Sequence, residues 1–152
     1  MQNALRISLA AGLALLSGAC DTCKNDESPT NTLLFRLVSL ANQNLIGQGP
    51  TQYSPDSIRV LLNGQPFDFE VTTQPLFGDA PVVGLSARHL FASPPEARLL
   101  LRLSRTDTDT IDLRYAVREG RCFRSLEYQA VRYNGRLAAP DPVSGYYHFV
   151  KR

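Results

Sequence analysis

The sequence predicts an all-β fold, an immunoglobulin-like antiparallel β-sandwich of about eight short strands. Residues 97–118 contain two runs in which apolar and polar side chains alternate, as in strands with one buried face. Asn63-Gly64 and Asn134-Gly135 are dipeptides typical of tight hairpin turns. Short strands separated by Gly, Pro and Asn turns, without a long helical pattern, favour a sandwich over a βαβ fold. A small β-barrel is the alternative.

A leader precedes this domain. Residues 1–19 have the order of a secretory signal peptide, in which Arg6 is followed by an apolar stretch at residues 7–16 and then by small residues. The stretch is shorter than the ~20 residues that span a bilayer, and the rest of the chain has nothing comparable. We expect no transmembrane helix, a polar tether at residues 20–31 and the sandwich at residues 32–152.

The sequence pattern of the domain predicts short strands joined by loops. Residues 73–96 are irregular and rich in Pro and Gly, with one helical turn at residues 88–92, and they are our first candidate for ligand contacts. A break in alternation between Ala130 and Val131 suggests a β-bulge. Strands are predicted at residues 33–40, 58–62, 67–71, 82–87, 97–104, 111–118, 126–133 and 146–150.

The two clearest hairpins have predicted registers. Around Asn63-Gly64, opposing Leu62 with Phe67 keeps the apolar side chains of both strands on one face. The same register places Arg59 across from Glu70, an oppositely charged pair.

In the hairpin of residues 97–118, one register places Arg102 opposite Asp112, and the next in-phase register places it opposite Arg114. We expect the first, with Leu103 opposite Ile111, because opposed arginines repel.

The segment Ser17-Gly18-Ala19-Cys20 resembles the processing site of bacterial lipoproteins, in which the cysteine receives the lipid and becomes the first residue. The usual pattern has Leu where Ser17 stands. Small residues at 17 and 19 also suit an ordinary secretory peptidase, so a soluble secreted protein is the alternative. Two or three acyl chains on Cys20 would give stable membrane attachment.

The other two cysteines are expected to pair. With Cys20 lipidated, Cys23 and Cys122 remain, and an oxidising compartment favours a disulfide between them. It would close a loop of roughly 100 residues, for which the chain-entropy model gives about 4.7 kcal/mol. The other interpretation, a redox Cys-x-x-Cys at residues 20–23, lacks the helix start on which such motifs depend.

The chain offers few catalytic or metal-binding candidates. His89, with Arg88 beside it, lies in the irregular segment and could act in acid–base chemistry, but neither Ser86 nor Ser93 stands in a G-x-S-x-G motif. Residues 107–112 resemble part of a calcium loop, without its glycine and terminal glutamate. We therefore predict no catalytic residue, no metal and no cofactor.

Arginines form the other candidate site. The chain has a net charge of +2, which does not suggest nucleic acid, but nine arginines fall between residues 98 and 136. If several share one face, that face could bind an anionic sugar or lipid headgroup. We name Arg102 and Arg114 as candidate ligand-binding residues together with Arg88 and His89. Solvated strand faces, with partial pairing to Asp112 and Glu127, are the simpler explanation.

Together, residues 17–23, residues 107–115, Cys122 and residues 133–135 are similar to small uncharacterised lipoproteins common in Bacteroidota. The resemblance implies the cell envelope, at the outer membrane or cell surface, with secretion or the periplasm as alternatives. It implies no activity. We expect a non-enzymatic lipid-anchored binding or accessory module, whose partners are the membrane and an envelope protein or glycan. The rival is an envelope hydrolase or carbohydrate-binding protein that uses residues 73–96.

Overall fold

The computed structural model describes residues 31–73 and 80–152, and these form two β-sheets. The strands are β1 Leu33–Val38, β2 Arg59–Leu62, β3 Gln65–Pro66, β4 Phe69–Thr73, β5 Pro81–Leu85, β6 Glu96–Arg102, β7 Thr108–Glu119, β8 Arg124–Tyr133, β9 Arg136–Ala138 and β10 Tyr147–Val150. The smaller sheet has the order β10-β1-β5-β4 and the larger the order β3-β2-β6-β7-β8-β9. Neighbouring strands are antiparallel except β1 and β10, which are parallel. The predicted all-β sandwich is confirmed, and the alternative closed barrel is not formed.

The core lies between the two sheets. Leu99 and Leu101 of β6 and Ile111 and Leu113 of β7 are buried, which confirms the inward faces predicted for this hairpin. The two layers meet in a stack of rings. Phe149 of β10 packs on Phe35 of the same sheet at 4.5 Å between ring centroids and on Tyr133 of the larger sheet at 4.8 Å.

Both predicted Asn-Gly turns are present. Asn63 and Gly64 join β2 to β3 with φ angles of 52° and 79°, and Asn134 and Gly135 join β8 to β9 with 47° and 76°. Positive φ at both central residues is the geometry of the tight hairpin turn that Asn-Gly favours. The short strands β3 and β9 follow these turns, which contributes to a count of ten strands within residues 31–73 and 80–152, where about eight were expected for the domain.

The strand predicted at residues 67–71 does not stay in its hairpin. Leu62 is opposite Gln65, not Phe67, and Phe67 is buried where the chain crosses to the other sheet. Residues from Phe69 onward form β4, which pairs with β5. The predicted Arg59–Glu70 pair is therefore wrong, and Arg59 lies opposite Arg102 of β6.

The register predicted between β6 and β7 is also wrong, although the faces are right. Ile111 lies opposite Leu99, four residues from the expected Leu103, and Asp112 lies opposite Arg98. An even shift leaves every side chain on the same face, so the alternation alone could not distinguish the two registers.

Local features elsewhere lie close to their predicted positions. The register of β7 and β8 shifts where Arg114 pairs with Ala130 and Tyr115 with Tyr128, so that Gln129 is the extra residue of a bulge, next to the expected place. The expected helical turn is a 3-10 helix at Ala87–Ala92.

The two ends of the sandwich carry different parts of the chain. At one end, Asn31 Nδ2 donates to the carbonyl oxygen of Arg124 at 3.2 Å, and Asn31 Oδ1 accepts from the N–H of Leu126 at 2.9 Å. At the other end, the N–H of Lys151 donates to the carbonyl oxygen of Val38 at 2.8 Å. We call these the tether end and the distal end.

Candidate functional site

The predicted site residues do not converge. Cys20 and Cys23 lie outside the described residues. Arg88 and His89 are exposed on the 3-10 helix Ala87–Ala92, whereas Arg102 and Arg114 are exposed on β6 and β7 of the larger sheet.

The 3-10 helix brings His89 to a carboxylate at the surface. His89 Nε2 lies 3.1 Å from Asp68 Oδ2, and the two side chains are 52% and 66% exposed. The hydroxyl of Ser93 donates to the backbone carbonyl of His89 at 3.0 Å, and the hydroxyl of Ser86 caps the helix by accepting from the N–H of Arg88. Neither serine has its hydroxyl hydrogen-bonded to the imidazole, so the pair does not form a serine–histidine nucleophile.

The outer side of the larger sheet carries a row of arginines. The alternation of β6 and β7 that buries leucine and isoleucine turns the intervening residues outward, and the observed registers set them side by side. Arg102 lies opposite Arg59 of β2, and Arg98 lies opposite Asp112 of β7, which in turn lies opposite Arg132 of β8. Arg118 of β7 is also outward and is paired with Glu127. We call the five other outward arginines the arginine face: Arg59, Arg98, Arg102, Arg114 and Arg132.

These arginines are engaged to different degrees. Arg98 Nε donates to Asp112 Oδ1 at 2.5 Å, which raises the pKa of the Arg98 guanidinium through that hydrogen bond and the carboxylate charge. Arg59 and Arg132 donate to backbone carbonyl oxygens. Arg102 and Arg114 make no ion pair with any residue of 31–73 or 80–152. They are two of the three arginines predicted from the sequence as candidate ligand-binding residues, the third being Arg88.

A shallow depression of about 570 Å³ lies on this face. Arg98, Arg114 and Arg132 contribute its positive charges, and Glu96 and Asp112 its negative ones. Ala130 lies directly opposite Arg114, and its small side chain leaves room beside the guanidinium. The depression can hold anionic groups between arginines, which bind carboxylate, sulfate and phosphate oxygens through paired N–H donors.

A second polar group, which the sequence did not reveal, lies at the distal end. Lys151 Nζ donates to Asp107 Oδ1 at 2.8 Å and to Asp109 Oδ2 at 2.6 Å. The hydroxyl of Tyr53 donates to Asp107 Oδ2, and that of Tyr133 donates to Asp109 Oδ2 at 2.5 Å. We call these five residues the distal cluster.

Burial and the cluster's own charges perturb its protonation. Burial, together with the hydrogen bond to Asp107, raises the pKa of Tyr53 to about 12. Burial by itself would raise the pKa of Asp107 and lower that of Lys151. The hydrogen bonds of Lys151 with both carboxylates, and of Tyr53 with Asp107, reverse this, so that the pKa of Asp107 is lowered and that of Lys151 is raised.

The distal cluster is built for stability rather than for binding a cation. The Lys151 ammonium occupies the space between the two carboxylates, and Asn134 Nδ2 donates to Asp109 Oδ1 at 2.8 Å. The carboxylates considered as part of a calcium loop are therefore already engaged. Among residues 31–73 and 80–152, no group of three or more His, Cys, Asp or Glu side chains could hold a metal ion.

The sequence contains one signal of the distal cluster. Asp109 continues the inward positions of β7 back from Ile111, and an acidic residue at an inward position requires a partner. The partner itself, 42 residues away at Lys151, follows only from the fold.

Comparison of the chain with family models, with curated proteins and with solved structures finds no match. Within the described residues, no helix is long and apolar enough to cross a membrane.

Proposed function

We propose that this protein is a non-enzymatic, lipid-anchored β-sandwich of the bacterial cell envelope, a lipoprotein of the Bacteroidota kind that acts as a binding or accessory module. Cys20 carries the lipid in this proposal, at the outer membrane or cell surface. The observation that carries it is the position of Asn31, which is hydrogen-bonded at the tether end to Arg124 and Leu126. A tether that enters there leaves the distal end and the arginine face free for a partner.

The same position supports a disulfide between Cys23 and Cys122. Cys122 precedes Arg124 by two residues, and Arg124 is hydrogen-bonded to Asn31. The roughly eight residues from Cys23 to Asn31 span at most about 29 Å when extended, so they can return to the turn between β7 and β8. Such a disulfide fixes the beginning of the sandwich close to the anchor.

Metabolic labelling with radioactive palmitate tests the anchor. The wild-type protein should incorporate label and partition into detergent, and Cys20→Ala should lose both properties while Cys23→Ala keeps them. Equal labelling of wild type and Cys20→Ala, or no label in either, contradicts lipidation and leaves a secreted or periplasmic protein.

Mass spectrometry of the unreduced protein tests the disulfide separately. A peptide joining Cys23 to Cys122 is expected in freshly isolated protein. Alkylation of both thiols without prior reduction would show that they do not pair.

One observation favours the rival proposal, an envelope hydrolase or carbohydrate-binding protein that uses residues 73–96. The pair of His89 and Asp68, 3.1 Å apart, is the histidine–carboxylate contact that an acid–base mechanism would use. Activity toward ester or glycoside substrates that is abolished by His89→Gln would establish it. Because the pair is exposed and lies outside the depression of the arginine face, we expect no such activity.

A further inference from the structure

The arginine face has more positive charge than its own acids neutralise. Five arginines share it with two acids, Glu96 and Asp112, which leaves three positive charges in excess. Arg59 and Arg102 lie directly opposite each other, and like charges at that position are destabilising. The acid expected across from Arg59, Glu70, is instead in the smaller sheet opposite Gly84. The face therefore contains a like-charge contact that its own strands do not compensate.

The uncommitted arginines mark out a long stripe. Arg114 lies opposite Glu96, which is six residues before Arg102 on β6, so the two arginines are separated by about 20 Å along the strand direction. Arg98 and its partner Asp112 lie between them. A single small anion cannot contact both ends, whereas an extended chain with repeated anionic groups can.

The other residues of the arginine face indicate which kind of polyanion it binds. Proteins that bind single-stranded nucleic acid place aromatic side chains among their basic residues, and no aromatic residue lines the described depression. Binding at a membrane surface is strongest where apolar side chains beside the basic residues can insert. Leu113 at the depression is buried, and Leu61 and Leu100 on this face are partly buried. The exposed Leu137 lies opposite Arg132 on the edge strand, so the middle of the face offers little that can insert. The mixture of arginines with Glu96 fits a ligand that carries hydroxyl groups as well as anions, because a carboxylate accepts hydrogen bonds from hydroxyls.

We infer that the arginine face binds an acidic polysaccharide, a glycan chain that bears carboxylate or sulfate groups. The inference rests on the proposed function, since it names the ligand of the binding module. Arg102 and Arg114 form the two principal contacts, each through paired N–H donors to one anionic group. Arg98, held by Asp112, and Arg132 add positive charge between and beside them.

Affinity electrophoresis tests this binding without depending on the anchor. The Cys20→Ala protein is run in gels that contain polygalacturonate, dextran sulfate or neutral dextran. We expect retardation by polygalacturonate, dextran sulfate or both, and none by neutral dextran. Because the protein is unlipidated in this assay, a failed palmitate experiment and a failed binding experiment are separate results.

Two matched double variants locate the binding. Arg102→Gln with Arg114→Gln should raise the Kd at least about tenfold, since it removes both principal charged contacts to the anionic groups. Arg105→Gln with Arg121→Gln removes the same charge from exposed positions in the turns before and after β7, and it should change the Kd less than about twofold. Thermal unfolding followed by circular dichroism checks that both proteins are folded.

A variant that should gain affinity provides a further test, because a protein that had lost its fold would lose affinity instead. Asp112→Asn removes the carboxylate that holds Arg98, so it should lower the Kd about twofold or more.

Equal weakening by the two double variants overturns the inference, as does a wild-type protein that neither acidic polymer retards. Sedimentation with phosphatidylglycerol vesicles but not phosphatidylcholine vesicles, without retardation by either polymer, would make the face a membrane-binding surface instead.

Discussion

Replacing Lys151 by methionine removes the ammonium that bridges the two carboxylates of the distal cluster. Methionine keeps the length and apolar stem of the lysine, so the change isolates the charge. Asp109, whose side chain is only 6% exposed, would keep its hydrogen bonds from Tyr133 and Asn134 but lose its positive partner. Asp107 would lose the same partner at 30% exposure.

The expected destabilisation is about 2–4 kcal/mol. Breaking a buried ion pair on one side costs about 3–5 kcal/mol, because the remaining charge is left uncompensated. The Lys151 side chain is 16% exposed, so water reaches part of the cluster and the cost falls below the upper figure. Urea unfolding at pH 7 measures it as a lower midpoint with an unchanged slope.

The pH dependence provides a second and sharper test. In the wild-type protein the lowered pKa of Asp107 contributes stability above the unfolded value of 3.8, and this is lost as the pH falls through the folded pKa. The pKa values of Lys151 and Tyr53 are raised above their unfolded values of 10.5 and 10.0, so both groups contribute stability at pH values below these. This stability is lost as the pH rises through the folded pKa of each group, which is about 12 for Tyr53. In Lys151→Met, Asp107 should lose the lowering of its pKa that the hydrogen bond and the charge of Lys151 cause. The difference in the free energy of unfolding between the wild type and the variant should therefore shrink as the pH falls below 3.8 and through the folded pKa of Asp107.

Arg152→Met is the matched control. It removes one positive charge from the next, exposed residue and should change the free energy of unfolding by less than about 0.5 kcal/mol. If Lys151→Met is as stable as this control, or if the stability difference between wild type and Lys151→Met does not shrink as the pH falls below 3.8, the account of the distal cluster is refuted.

Two further substitutions test other parts of the fold. Gly64→Ala should destabilise the protein by about 1–2 kcal/mol, because φ is +79° at this position. No atom lies within 4 Å of an added Cβ, so the cost comes from the backbone conformation and not from a clash. Gly64→Asn should cost less, and equal costs of the two variants in a urea titration would argue against this conformational origin. Tyr115→Phe should cost about 1–3 kcal/mol, because the buried hydroxyl donates to the carbonyl oxygens of Pro94 at 2.6 Å and Leu90 at 3.1 Å. Faster hydrogen exchange in the 3-10 helix Ala87–Ala92 should accompany it, and unchanged exchange would show that the hydroxyl does not hold that helix.

Local signals predicted the faces and turns of this fold, and distant contacts decided the rest. Alternation placed Leu99 and Ile111 in the core, and Asn-Gly placed both tight turns. The register of β6 and β7 depends on the burial of Asp109 against Tyr133 and Lys151, which lie 24 and 42 residues away in sequence. A window of a few residues contains no information about such partners.

The candidate site was likewise predictable where it depends on local sequence and unpredictable where it depends on distant contacts. That Arg102 and Arg114 are exposed on one face is a consequence of strand alternation and was predictable. That Arg59 joins them required the pairing of β2 with β6, and the loss of Glu70 from that face required the chain to change sheets after Phe67. The contact of His89 with Asp68 also depends on this crossing, since it brings residues 21 positions apart to the same corner.

The parallel pairing of β1 with β10 has a consequence for when the fold can form. The two strands lie at opposite ends of the described chain, and Phe149, fully buried against Phe35 and Tyr133, belongs to the later one. The smaller sheet and the ring stack therefore stay incomplete until residue 150 has been synthesised. Contacts between positions so distant in sequence close slowly. The last strand therefore has to be present before one layer of the sandwich can close, whereas every strand of the larger sheet precedes it in the chain.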